Sequence, residues 1–173
     1  MGKWLRTFHK ATRDFERKRF KMAFQIERWD EGPNKWQKEA LKCPDLPETP
    51  ESFGIIHGDF HHENLVIDRC EDTKLIRVFD FENIQKSWFL VDLGSAIFQA
   101  IWKMERDRGA NSETLLKDMQ EFTDAFCQGY TCGEYEIDRK LLLKFCNMRR
   151  DAIRYVYKQN LEFATGDVSQ RKF

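Results

Sequence analysis

Apolar side chains recur at helical spacing near the start of the chain and throughout its second half. At the start they fall at steps of three and four, in Trp4, Leu5, Phe8, Ala11 and Phe15. The same period returns in residues 93–104, 115–126 and 141–155, and glycines separate these segments. One apolar face per helix is typical of helices that pack on a shared core. The pattern therefore predicts one leading helix and three later long ones, and a short helix is expected at 34–41.

Between these segments the apolar residues fall into short runs. Residues 53–56 are expected to form a brief strand, and the β-branched runs 65–67 and 75–79 are expected to form a hairpin. The prolines before them predict an irregular link. The expected fold is a mainly helical α+β domain over residues 1–173. Its parts are a helical lead-in with a Pro-rich link (1–50), a loop and hairpin region (51–92) and a helical subdomain (93–173).

Composition narrows the class of protein but does not indicate a reaction. Apolar residues make up 41% of the 173 residues, enough for a globular core. Lys plus Arg and Asp plus Glu both number 29, so no net charge draws the chain to nucleic acid or anionic lipid. No apolar run is long enough to span a bilayer, and the start lacks a signal-peptide core. We expect a soluble, cytoplasmic protein without a nucleic-acid or membrane partner.

The most informative stretch is the loop from His57 to Asn64, followed by Asp80 in a Phe-Asp-Phe segment. Phosphoryl transfer requires a carboxylate near the accepting hydroxyl and oxygen ligands that hold Mg²⁺ against the phosphates. Asp59, Asn64 and Asp80 supply those groups in the required order. If the hairpin turn centres on Asp72, Asn64 and Asp80 face each other across its open end. The order and spacing favour a phosphotransferase site over three unrelated turn and cap residues.

The same residues resemble those of the aminoglycoside phosphotransferase and choline kinase group, relatives of protein kinases that act on small molecules. The loop is similar to that group's catalytic loop, and Val78-Phe79-Asp80-Phe81 to its metal-binding segment. Residues 88–93 resemble the segment in which an Asp braces that loop. Weaker similarity extends to both ends of the chain, in Gly2, Leu5, His9, residues 126–130 and Arg149-Arg150. The resemblance implies a kinase-like C-terminal lobe.

The resemblance also implies a role for individual residues. Asp59 is then the catalytic base or hydroxyl-orienting group, and Asn64 and Asp80 are Mg²⁺ ligands, with ATP as phosphoryl donor. His57 becomes a structural brace of the loop and Asp92 a support behind it. His61 and Glu82 occupy positions that face either a substrate or solvent.

A metal-hydrolase site is an alternative hypothesis, because His57, Asp59, His61 and His62 crowd one loop. Imidazoles are good Zn²⁺ ligands, and three protein ligands plus water make a catalytic zinc site. However, the sequence contains no helical His-Glu-x-x-His, and His9 is its only other histidine. A zinc site would also leave Asn64 and Asp80 without a role. The phosphotransferase hypothesis explains more of the pattern.

The sequence lacks the features that clamp ATP in kinases. No Gly-x-Gly-x-x-Gly occurs, and Lys21 closes a basic run instead of lying on a strand. We therefore expect the N-terminal ATP-clamping lobe to be absent from this chain, and three hypotheses follow. The chain is a truncated kinase, or a subunit that needs an N-lobe partner in trans, or a catalytically inactive kinase-like binding module. An uncovered lobe interface would also favour self-association.

Overall fold

The computed structural model describes residues 1–17, 26, 28, 46–70, 73–109 and 114–165. Most of the predicted lead-in beyond residue 17 lies outside them. Among these residues, no helix combines the length and the apolar character that crossing a bilayer requires. The described part contains four helices and two small antiparallel sheets, so the predicted mainly helical α+β class is confirmed.

The four long predicted helices are present, and the expected short helix at 34–41 lies outside the described residues. They are α1 (Gly2–Arg17), α2 (Phe89–Arg108), α3 (Leu115–Thr131) and α4 (Arg139–Thr165). In α1, the predicted Leu5 is buried, and His9, one turn further along the same face, is buried as well. Gly109 ends α2 in a positive-φ conformation that suits glycine.

Four strands pair two by two. The predicted hairpin forms from β2 (Leu65–Cys70) and β3 (Thr73–Val78), and the predicted strand β1 (Phe53–Ile56) pairs with β4 (Gln85–Trp88). We did not predict β4, because Gln-Lys-Ser-Trp carries no β-branched residue. The β1–β4 pair brackets the candidate site. The loop of residues 57–64, which we name the catalytic loop for its resemblance alone, follows β1, and α2 begins directly after β4.

The hairpin register differs from the expected one. Leu65 pairs with Val78 and Cys70 with Thr73, a register one residue away from the one that a turn centred on Asp72 requires. The expectation that Asn64 faces Asp80 is therefore wrong. Asn64 instead faces Phe79, whose backbone N–H donates to the Asn64 carbonyl at 3.1 Å. A one-residue shift in register exchanges the two faces of a strand, so the expected cross-strand pair of Asn64 and Asp80 does not form.

The main core lies where α1, α2 and α3 meet the catalytic loop. Its buried members come from all of these elements and from α4: Leu5, Phe60, Leu93, Ala96, Ile97, Phe126, Cys127, Tyr130 and Leu142. Phe60 is a loop residue with no exposed surface, and the Trp4 ring stacks on it at 5.6 Å. The loop is therefore anchored in the core by the residue that directly follows Asp59.

Helices α2 and α4 approach each other closely at Gly94. A Cβ atom at this position would lie 2.7 Å from the Phe145 carbonyl carbon and 2.8 Å from its Cβ. Real Cβ contacts are not that short, and the backbone of a packed helix cannot move aside cheaply. Gly94 therefore sets the distance between the two helices.

We predict that Gly94→Ala destabilises the fold even though alanine favours helix formation. Overpacking a well-packed core costs about 1–3 kcal/mol, which exceeds the gain in helix propensity of about 1 kcal/mol. Gly129→Ala is the matched control, because a Cβ in α3 there meets nothing closer than 3.5 Å. Urea denaturation should show a lower free energy of unfolding for Gly94→Ala and an equal or higher one for Gly129→Ala. Equal effects of the two substitutions would contradict this account of the helix contact.

Candidate active site

The catalytic loop is held from behind by the carboxylate of Asp92, which has no exposed surface. One oxygen, Oδ2, accepts from the His57 backbone N–H at 2.8 Å, and the other, Oδ1, accepts from the Gly58 N–H at 2.9 Å. Asp92 lies in the first turn of α2, where the positive end of the helix dipole favours a carboxylate. Backbone donors and helix dipole together offset the cost of burying this charge.

His9 gives Asp92 a further hydrogen bond. Its Nε2 lies 3.0 Å from Asp92 Oδ2, and its Nδ1 lies 2.9 Å from the Tyr130 hydroxyl. Burial raises the pKa of Tyr130, so its hydroxyl stays protonated and able to donate. The network thereby connects α1, α2 and α3 to the catalytic loop through buried polar groups.

Gly58 is required by the shape of the loop. Its φ of +82° lies in the region that favours glycine, and a Cβ there would lie 2.0 Å from the Asn83 carbonyl oxygen. The loop consequently passes directly against the segment that follows Asp80.

His57 joins the catalytic loop to the predicted metal segment. Its Nε2 lies 3.0 Å from the Phe79 carbonyl, which can only accept, so Nε2 carries the proton. Its Nδ1 then accepts from the Asp59 backbone N–H at 3.3 Å. Because Asn64 binds the Phe79 N–H, both polar groups of the Phe79 backbone are held by the loop. The backbone position of Asp80, the next residue, is thereby restricted.

Asp80 itself has a left-handed backbone, with φ 66° and ψ 61°. Only a few per cent of residues other than glycine adopt this conformation, although Asp does so more often than most. The conformation breaks the alternation of β3, so the strand's pleat does not dictate the direction of the Asp80 side chain. Asp80 is exposed, and Glu82 is also exposed in the short 3₁₀ turn Phe81–Asn83.

The Asp59 carboxylate is contacted by three side chains and is about one-fifth exposed. Arg149 of α4 forms an ion pair and hydrogen bond with its Oδ1. On the other oxygen, Oδ2, His61 Nε2 and Asn64 Nδ2 each lie at 3.5 Å. Asn64 also donates to the Asp59 backbone carbonyl at 3.0 Å. The structure thus brings together Asp59, His61 and Asn64.

These partners keep Asp59 ionised. Burial alone would raise the pKa of its carboxyl, but the His61 hydrogen bond and the Arg149 charge outweigh burial and lower the pKa below its usual value. Asp59 is therefore a carboxylate at neutral pH, which can accept a hydrogen bond but cannot donate one.

Asn64 and Asp80 offer oxygen ligands of the kind that Mg²⁺ and Ca²⁺ prefer. The Asn64 amide nitrogen donates to Asp59, which leaves its oxygen on the opposite side of the amide group. The alternative zinc cluster does not form among the described residues, where no three His, Cys, Asp or Glu side chains are grouped as metal ligands. His57 and His61 instead each accept a backbone N–H through Nδ1.

A cavity of about 380 Å³ lies elsewhere, beside the start of α2 and the start of α4. Trp88, Phe89, Leu93 and Tyr130 are among its lining residues, whereas Asp59, Asn64 and Asp80 do not line it. A large apolar pocket is often the default candidate for a binding site. Here the polar groups that suit phosphoryl transfer are at the catalytic loop and not in this cavity.

Sequence reasoning missed the contacts of Arg149, His9 and Tyr130. It noted Arg149 and His9 only as points of resemblance and gave them no role. Arg149 lies 90 residues after Asp59, and no local spacing rule relates positions so far apart. His9 did carry a signal, since a histidine on the apolar face of α1 needs a buried polar partner.

Known proteins similar to this chain are small-molecule kinases. The family model described as the phosphotransferase enzyme family matches residues 1–140. The amicoumacin kinase of Bacillus subtilis (strain 168) is 25% identical over 162 residues, which are 83% of this chain and 44% of that protein. The solved structure of amicoumacin kinase hAmiN in complex with AMP-PNP, Ca²⁺ and Ami superposes with a TM-score of 0.68 at 19% identity, over 97% of this chain and 53% of that one. The chain thus spans about half the length of these relatives.

We predict that Asp92→Ala destabilises the fold by about 3 kcal/mol or more, because the buried His57 N–H and the partly buried Gly58 N–H both lose their acceptor. Asp107→Ala is the control, since Asp107 is an exposed carboxylate on the same helix that pairs with Lys103. Its loss should change stability by no more than about 0.5 kcal/mol. Chemical denaturation of both variants measures the difference. A small effect of Asp92→Ala would show that the loop does not depend on this carboxylate.

Proposed function

Because the chain belongs to the phosphotransferase enzyme family, we propose that it is the catalytic lobe of an ATP-dependent kinase of a small-molecule hydroxyl. The observation that carries the proposal is the double hold on Phe79. His57 binds its carbonyl and Asn64 binds its N–H, which brings the residue before Asp80 against the loop of Asp59. The loop with Asp59 and Asn64 and the segment with Asp80 are thereby held together, and in our proposal they supply the three groups that phosphoryl transfer requires.

In the proposed mechanism, Asp59 accepts the hydrogen bond of the acceptor hydroxyl and aims its oxygen at the γ-phosphorus. The acceptor oxygen forms a new bond to phosphorus as the bond from phosphorus to the bridging oxygen of ADP breaks. ADP leaves with that electron pair, and the hydroxyl proton passes to Asp59 or through it to solvent. The lowered pKa suits a carboxylate that mainly orients the hydroxyl, since little proton transfer is needed early in a loose transition state.

Asn64 and Asp80 are proposed to hold the metal ion, which we expect to be Mg²⁺. A bound Mg²⁺ would neutralise charge on the donor phosphates. Oxygen ligands from an amide and a carboxylate fit such an ion. The relative bound to AMP-PNP and Ca²⁺ supports a nucleotide and a divalent metal as a pair.

The acceptor is proposed to be a small molecule with a free hydroxyl group, and aminoglycoside, choline-like, homoserine-like and other alcohol acceptors are all candidates. Amicoumacin is a further candidate, because two similar proteins are named amicoumacin kinase. His61 lies beside Asp59, so it is the better placed of the two predicted substrate-side residues. Exposed Glu82 is a candidate contact for an ammonium group of the acceptor.

The sequence of this chain holds no Gly-rich phosphate loop. We therefore propose that the groups clamping ATP come from a further segment or a second chain. The exposed side chains of Val66 and Leu75, which lie on the same face of the hairpin, offer an apolar surface to such a lobe or to a second copy. ATP as donor also favours a cytoplasmic location.

The first test is nucleotide binding by the chain. AMP-PNP with Mg²⁺ should raise the unfolding temperature, and a ligand 100-fold above its Kd adds about 2.7 kcal/mol of stability. Removing Mg²⁺ with EDTA, or substituting Asp80→Ala, should abolish the increase. Asp68→Ala is the control, because Asp68 is a carboxylate on the same hairpin that pairs with Arg77.

If the wild-type chain shows no Mg²⁺-dependent stabilisation, catalytic competence of this chain is excluded. Normal folding and partner association in Asp80→Ala would then favour the inactive binding module.

The second test separates metal binding from acceptor positioning. Asp59→Asn should lower phosphoryl transfer by about 100-fold or more, the usual effect of losing a general base. It should leave the Mg²⁺-dependent binding of AMP-PNP intact, whereas Asp80→Asn should impair both. ADP release with amicoumacin, an aminoglycoside, choline and homoserine as trial acceptors measures transfer. Full activity of Asp59→Asn would remove Asp59 from the mechanism.

A further inference from the structure

Arg149 contacts the Asp59 carboxylate, although the two residues lie 90 positions apart in the sequence. It lies in α4, in the part of the chain that the hairpin and loop motifs do not include, and pairs with Oδ1 of Asp59. Side-chain exposure is 23% for Arg149 and 20% for Asp59. Charge-assisted bonds between such enclosed partners are stronger and more directional than ordinary surface ion pairs.

The Arg149 side chain is enclosed as well as paired. Its Nε is buried and has no hydrogen-bond partner among the described residues. An arginine with a shielded stem and a fixed guanidinium plane loses less freedom on binding than a mobile surface side chain. The neighbouring Arg150 behaves differently, since its Nε donates to Asp151 on the same helix.

The two carboxylate oxygens of Asp59 therefore have different surroundings. Oδ1 forms an ion pair with the Arg149 guanidinium, whereas the contacts of Oδ2 to His61 and Asn64 are both 3.5 Å long. Contacts of that length leave lone-pair capacity for a stronger donor. Oδ2 also lies on the side of Asn64, the proposed metal ligand.

We propose that Arg149 is a positioning residue for phosphoryl transfer: it fixes Oδ1 of Asp59 and so leaves Oδ2 to receive the acceptor hydroxyl. This inference rests on the proposed function. It assigns to α4 a role in orienting the reacting group, in addition to packing on α2. A misplacement of about 1 Å of a reacting group can lower a rate by about 100-fold.

The test compares Arg149→Gln, Arg149→Lys and the matched control Arg150→Gln in the 173-residue chain. Using ATP and the trial acceptors named above, kcat should fall about 100-fold in Arg149→Gln. Lysine should restore part of the loss, because it keeps the charge without the planar fork. Affinity for Mg²⁺ and AMP-PNP should stay within about twofold in every variant, and Arg150→Gln should behave as wild type. An unchanged kcat in Arg149→Gln, or a loss matched by weaker nucleotide binding, would overturn the inference.

A double-substitution cycle tests whether the Arg149 and Asp59 side chains interact, and it does not require enzymatic activity. Unfolding temperatures are measured for Asp59→Asn, Arg149→Gln and the double variant. If the side chains interact, the double variant should lie about 2–4 °C above the additive expectation, since about 1 kcal/mol corresponds to such a shift in a chain of this size. Additive effects would overturn the positioning role. Absence of transfer in every protein, by contrast, would count against catalytic competence of this chain without the ATP-clamping groups, and the cycle would still decide whether Arg149 holds Asp59.

Discussion

The buried carboxylate of Asp92 is the interaction on which the candidate site depends. An uncompensated charge at that position would cost several kcal/mol, so the surrounding chain has to present donors to it. Three do so: the backbone N–H groups of His57 and Gly58 and the ring of His9. Two of these donors belong to the catalytic loop, which means that the loop's backbone is held in place by satisfying a buried charge. The path of the loop is therefore tied to the packing of α1 and α2.

A second hold acts from the front of the loop. The His57 backbone N–H donates to Asp92 and its ring donates to the Phe79 carbonyl, so one residue links the helical core to the end of the hairpin. The neutral ring suits this position because it can donate to one backbone group and accept from another at the same time. Loop and hairpin therefore do not move independently. The backbone next to Asp80, the predicted metal ligand, therefore has a defined position even though the Asp80 side chain is exposed.

Much of this arrangement could be predicted from the sequence, and the exceptions have physical causes. Helical periodicity predicted α1 and the three later helices, because packing on one core imposes that period. The hairpin was predicted by composition, but its register was wrong, since the polar residues between the runs do not fix where a turn centres. Strand β4 carries no β-branched residues, and it is held by pairing with β1 rather than by propensity. The family resemblance is confirmed, whereas the roles of Asp59, Asn64 and Asp80 stay predictions.

The two carboxylates at the loop illustrate how surroundings separate roles. Asp92 has no exposed surface and has strong donors on both oxygens, so it has no capacity for a further ligand. Asp59 has a strong partner on one oxygen only and is partly open to solvent. Chemically equal groups thus become a structural anchor and an acceptor that can still bind a hydroxyl. Arg149 makes the difference between the two carboxylates larger, because its ion pair with Oδ1 restricts rotation of the Asp59 carboxylate. The oxygen that can still accept a strong hydrogen bond is then Oδ2, which lies next to Asn64.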